Sequence, residues 1–167
     1  MASFFPVALS AIPTFAGVKF VSTDLADFSA LVEAYGPASS KPLSLLFAPE
    51  PKLAGLALGA QSSVLAESFF ARSWLRMCHA FLSGDMAAAR AEQARKMRIV
   101  AIFAAQPPGV DAERTVYRRL IGVDIGPPRA PSLPLSDADY EALMASLDGE
   151  AFFTEFQGVT PPPCVLP

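Results

Sequence analysis

Charge of either sign is scarce in this chain of 167 residues, where Asp, Glu, Lys and Arg together make up 17% and hydrophobic residues 52%. Thirteen Lys and Arg are outnumbered by 16 Asp and Glu, for a net charge of -3, so a surface able to displace counterions from a nucleic-acid backbone is not expected. The densest basic stretch, Arg90 to Arg98, is interleaved with Glu92 and alanines at helical spacing and reads as a solvated helix face. Cysteine is rarer still. Cys78 and Cys164 lie far apart, forming neither a disulfide framework nor a zinc pattern, and a reducing cytoplasm is the expected location. The single histidine, His79, follows Cys78 in a helical pattern, and successive helical residues point apart, so no metal is expected. Long apolar runs are missing as well. The opening "MASFFPVALSAIPTFAG" has no Lys or Arg ahead of Lys19, is interrupted by Pro6 and Pro13, and is too short for a membrane span.

What is present is an alternation of short apolar runs with helical periodicity. Gly17 to Phe20 is a strand-like run, and "STDLADFSALVEAY" follows with cap residues and with Leu25, Phe28, Leu31 and Val32 at helical spacing. Gly36 and Pro37 stop that helix. "PLSLLF" predicts a second strand, "KLAGLALGA" a short helix and "SSVLA", Ser62 to Ala66, a third strand. Strands alternating with helices imply a parallel sheet, because parallel neighbours need crossovers. Long helices are predicted over about Ser68 to Leu82, from Asp85 to about Ala104, and over Asp111 to Ile121. "GPPRAPSLPL" reads as an extended strap, and Ser136 with Asp139 opens a last helix in a capping-box spacing.

Lys19 poses the functional question. It stands between Val18 and Phe20, where an ammonium is costly to bury without partners. Either it reaches solvent from the strand end, or its neighbours disfavour the charged form and make it a neutral nucleophile. Other candidates read as structural. Asp24 and Asp27 form a paired-carboxylate candidate for which helix capping is the better account. Gly55 and Gly59 lack the lysine and hydroxyl of a phosphate loop. Phe69, Phe70, Phe152 and Phe153 read as core or interface, and Pro127 with Pro128 as part of the strap.

Three segments, "IPTFAGVKFVSTDLADF", "LFAPEPKLAGLALGA" and "LIGVDIGPPRAP", in this order and spacing, resemble the N-acetylneuraminate lyase and dihydrodipicolinate synthase family. That family consists of Schiff-base lyases built on a TIM barrel. The resemblance runs from about Ile12 to Leu147, and "GVKF", "TDLADF" and "GPPR" bring it nearest to the sialic-acid lyases. It implies an α/β fold: a partial TIM barrel equivalent to strands six to eight, followed by helices. The implied divisions are a non-matching lead over 1–11, the partial barrel over 12–83, helices and strap over 84–150, and a tail over 151–167.

The resemblance further implies that Lys19 condenses with a 2-keto acid at the C-terminal end of its strand, where barrel sites gather. It places the substrate contacts at Val21, Ala48, Glu50 and Glu67. These segments depart from the sialic-acid lyase pattern, with one strand-seven carboxylate surviving as Glu50. Val21 stands where those enzymes carry Ser or Thr, Ala48-Pro49-Glu50-Pro51 where they have Gly-x-Asp-Glu, and Ala66-Glu67-Ser68-Phe69-Phe70 where they have Gly-Ser-x-Tyr-Asn.

The family's tyrosine relay and carboxylate loop lie in its first five strands, ahead of the segment matched, and Tyr35, Tyr117 and Tyr140 all read as helical. The implied reaction is reversible cleavage of a 2-keto acid sugar to pyruvate and an aldehyde, needing no cofactor and weak or absent in this chain alone. Two alternatives stay open: another pyruvate-dependent aldolase, or a non-catalytic interaction module. Expected partners are a small 2-keto acid and either further copies of the chain or a missing barrel half, with neither nucleic acid nor membrane.

Overall fold

The computed structural model of the chain describes residues 4–64, 70–121 and 125–153. It forms two compact units, Met1–Ala94 and Arg95–Pro167.

The first unit holds helix α1 (Phe4–Ala11), strand β1 (Gly17–Phe20), helix α2 (Leu25–Tyr35), strand β2 (Ser44–Phe47), helix α3 (Lys52–Ala57), strand β3 (Ser62–Ser63) and helix α4 (Ala71–Leu82). The strands form a parallel sheet in the order β1-β2-β3, as the alternation predicts. Residues 65 and 66, the end of the expected third strand, and residues 68–69 at the expected start of α4 lie outside the described residues.

Register explains why short apolar strands give a two-faced sheet. Val18 faces Leu45 and Phe20 faces Phe47, while on the other side Gly17 faces Ser44 and Lys19 faces Leu46, itself opposite Ser62. The first set packs under the helices. The second is open, with Lys19, Ser44 and Ser62 exposed and Gly17 and Leu46 half-buried. Four-residue strands are too short to show this alternation in sequence, where they read as buried on both faces.

Three phenylalanines fill the space between sheet and helices. Phe28 of α2 lies 5.0 Å from Phe20 and 4.8 Å from Phe47, ring centre to ring centre, and all three are buried. Each such ring contributes about 1.5–3 kcal/mol by leaving water. The helix that supplies Phe28 starts where the sequence places a cap: Asp24 Oδ1 accepts the Asp27 N–H at 3.0 Å. This settles Asp24 and Asp27 as a capping pair. On the same face of the sheet, α3 comes so close that a Cβ on Gly55 would stand 2.4 Å from the Phe47 ring, so only glycine fits there.

Helix α1 is absent from the sequence-based element list. Pro6 lies in its first turn, where a missing N–H breaks no helical hydrogen bond, and Phe5 is buried and stacked on Tyr35 at 5.0 Å. The residues expected to be a non-matching lead thus add an aromatic layer to the core of the first unit.

Helix α5 (Met86–Ala104) opens on Asp85, whose Oδ1 accepts the Ala88 N–H at 2.9 Å, and runs across the division between the units. Its first half is joined to α4 by Glu92, which takes two hydrogen bonds from Arg76 and one from Ser73. In the second unit, α6 (Ala112–Ile121) and α7 (Asp137–Gly149) accompany the end of α5. Ile99, Val116, Leu143, Met144, Leu147 and Phe152 are buried there. Ser136 caps α7 as its spacing predicts, accepting the Asp139 N–H, and the strap is pinned by a parallel bridge between Val110 and Leu133.

Candidate functional site

The site follows from where the sheet places Lys19. Phe20 points into the aromatic core, so pleat alternation puts its neighbour Lys19 on the open face, one residue from the C-terminal end of β1. That is the strand end at which a barrel of parallel strands gathers its chemistry. Lys19 is exposed, however, which corrects the expectation of a dry, apolar setting for its amine. The cause is architectural: Val18 and Phe20, the flanks that make the run look apolar, face the other way. Among the described residues, no helix covers the face that carries the amine.

Val21 leaves the end of the strand 63% exposed, so it lies at the rim without lining an enclosed space. Ala48 and Glu50 occupy the turn between β2 and α3, at the same end of the sheet, and both are half-buried. The Ala48 N–H donates to the Phe20 carbonyl at 2.8 Å, tying this turn to the strand of Lys19. Glu67 lies outside the described residues. Of the five positions singled out in sequence, the structure therefore brings Lys19, Val21, Ala48 and Glu50 to one end of one sheet.

Two residues missed by sequence reasoning hold this rim. Lys52, the first residue of α3, is fully buried, and its Nζ donates to the carbonyls of Ala48 and of Val64, the latter at 2.8 Å. Gln93 of α5 reaches the same turn from outside. Its Oε1 accepts the Leu53 N–H at 3.0 Å and its Nε2 donates to the Glu50 carbonyl at 3.2 Å. The first bond satisfies an N–H that the start of α3 would otherwise leave without a helical partner, since Pro51 provides no side-chain cap. A signal for Lys52 exists in sequence: it lies three residues before Gly55, on the same face of a helix whose Gly55 packs on Phe47.

The remaining titratable candidates stay structural. His79 is exposed on α4, and burial pushes the neighbouring Cys78 thiol up. Tyr35, Tyr117 and Tyr140 lie in α2, α6 and α7. No group of three or more His, Cys, Asp and Glu side chains lies together among the described residues, and none of their helices is long and apolar enough to cross a membrane.

The chain is similar in sequence to N-acetylneuraminate lyases over most of its length. It is 32% identical over 142 residues to the N-acetylneuraminate lyase of Mus musculus, covering 82% of this chain and 43% of that protein. The rat enzyme of the same name is 31% identical over 153 residues, with 89% and 46% covered. The solved N-acetylneuraminate lyase of Proteus mirabilis superimposes with a TM-score of 0.76 at 28% identity, over 90% of this chain and 50% of that one. The chain thus spans about half the length of the relatives it matches, and its three parallel strands with their helices form part of a TIM barrel. Its residues 7–150 match the Dihydrodipicolinate synthetase family, to which the chain belongs.

Proposed function

We propose that this chain carries the Schiff-base portion of an N-acetylneuraminate lyase-like class I aldolase, acting on a 2-keto acid sugar. The observation that supports it is the place of Lys19: an amine near the C-terminal end of a parallel strand, on the sheet face that a closed barrel turns inward.

The chemistry this position suits is direct. The Lys19 amine adds to the ketone carbon, and loss of water leaves a carbon-nitrogen iminium. When the next carbon-carbon bond out breaks, between the carbon beside the iminium and the hydroxyl-bearing carbon, the hydroxyl gives its proton to water and becomes the carbonyl of the departing aldehyde, while the bond's electron pair flows into the iminium to give an enamine. A proton from solvent restores the iminium, and water then releases pyruvate and the free amine. No cofactor enters these steps. Val21, Ala48, Glu50 and Glu67 are the proposed contacts for the sugar portion, with Glu50 the carboxylate closest in type to the family's strand-seven pair.

Exposure of Lys19 bears on rate. Among the described residues no enclosing walls exclude water from the open face around the amine, so the chain by itself is expected to form the imine slowly and turn over weakly. Solvation of this face also favours a second reading, a non-catalytic module that meets a partner through its open sheet. Pyruvate release from N-acetylneuraminate, followed through NADH oxidation by lactate dehydrogenase, separates the two. Slow release lost in Lys19→Ala supports the lyase. Equal rates in both proteins contradict it.

A further inference from the structure

Lys52 has no part in the reaction just described, yet its placement beside the sheet calls for an account. It is 0% exposed and it begins a helix, where the backbone dipole disfavours a cation. An apolar side chain of equal volume would fill the same space without the cost of burying an ammonium. What the ammonium provides is a bridge. The sheet's lateral hydrogen bonding continues one residue past the strands, with Ala48 N–H on the Phe20 carbonyl at 2.8 Å and Val64 N–H on the Phe47 carbonyl at 3.2 Å. Lys52 Nζ then joins the carbonyls of Ala48 and Val64, closing that row across the ends of β2 and β3.

We infer that Lys52 is a positioning residue for the sugar-contacting rim, an inference that rests on the Schiff-base reading above. Through Ala48 it fixes the turn that bears Glu50, and through Val64 it fixes the exit of β3. Gln93 holds the same turn at the Glu50 carbonyl and the Leu53 N–H, so the rim is clasped on both sides of the α3 start. Lys19 is set by the strand itself, through the β1-β2 pairing, and does not depend on Lys52 for its place. The bridge therefore governs the part of a ligand that extends beyond the keto acid, and leaves the keto acid end alone. The ligand class it selects is a 2-keto acid with a long polyhydroxylated tail, as against pyruvate.

The test uses the full chain with Lys52→Met, which keeps the volume and removes the donor. Two quantities are read. One is hydrogen exchange at the Ala48 and Val64 amides. The other is the concentration of pyruvate or of N-acetylneuraminate that half-saturates borohydride trapping on Lys19. Removal of a charged donor from two carbonyls is expected to speed exchange at both amides and to raise the N-acetylneuraminate half-saturation about tenfold, with the pyruvate value unchanged. A merely structural role would move both half-saturations together or neither, and either result overturns the inference. Lys52→Gln retains a donor for one carbonyl and serves if the methionine variant does not fold, with the same split expected at about threefold. If the wild-type chain traps neither compound, the Schiff-base reading has failed and the role of Lys52 falls with it. If the wild type traps both and the variants show no split, only the role of Lys52 fails.

Discussion

Replacing Gly55 by alanine pits two effects of opposite sign against each other. Alanine in place of glycine within a helix is worth up to about 1 kcal/mol in its favour. Against it stands the contact the new Cβ would make, 2.4 Å from Cδ1 and 2.5 Å from Cγ of Phe47. That ring has nowhere to go: it is 1% exposed, with Phe28 at 4.8 Å and Phe20 at 6.2 Å. Overpacking of this kind costs about 1–3 kcal/mol, and the closeness of the contact puts it near the upper end. A net loss of about 1–2 kcal/mol is expected, lowering the urea midpoint by about 1 M. The assay is built into the sequence, since the one tryptophan, Trp74, lies in α4 of the same unit and reports its unfolding by fluorescence. Gly149→Ala supplies the contrast. Nothing lies within 4 Å of a Cβ there, so only the propensity term remains and the midpoint should rise, followed by circular dichroism. A Gly55→Ala midpoint equal to or above that of the wild type would refute the close packing of α3 on β2.

Other expectations are more local. Asp24→Ala removes the cap of α2 and should cost about 1 kcal/mol, recovered largely by Asp24→Asn, as read by urea unfolding at Trp74. The Arg98 hydrogen bond holds the Glu150 carboxyl below its ordinary value of 4.5. A lowered folded value means that this contribution is fully present above the unfolded value and is lost as pH falls through the folded one, so the stability gap between wild type and Glu150→Gln should close on acidification. Equal gaps at neutral and acid pH would count against the pair. Burial raises the Cys78 thiol above its ordinary 9.0, so in a Cys164→Ala background its reaction with Ellman's reagent should be slow in the native protein and accelerate on unfolding in urea.

Much of the fold was legible because its punctuation is local. Asp24, Asp85 and Ser136 announce three helix starts, and the structure shows each side-chain oxygen on the expected backbone N–H. The parallel sheet followed from strand and helix alternation alone. The site was legible only in part, since what decides it is non-local. Val18 and Phe20 suggested a dry lysine, but pleat alternation sends them to one face and Lys19 to the other. Lys52 opens "KLAGLALGA", which reads only as a short helix, and its burial is imposed by Val64, 12 residues on. The Gln93 clasp spans 40 residues to Leu53 and 43 to Glu50, beyond the reach of any periodicity. Helix α1 was hidden by its own composition, with Pro6 masking an eight-residue helix whose Phe5 finds its partner in Tyr35.

The most direct measurement on the central proposal is covalent capture. The folded chain is incubated with pyruvate, reduced with borohydride, digested, and each lysine-bearing peptide is weighed. The account predicts a reduced pyruvyl adduct on Lys19 at an occupancy well above that of Lys41, an exposed lysine in a surface turn that reports background reactivity. Adducts spread evenly over Lys19 and Lys41, or none on Lys19 while circular dichroism shows the chain folded, would contradict it.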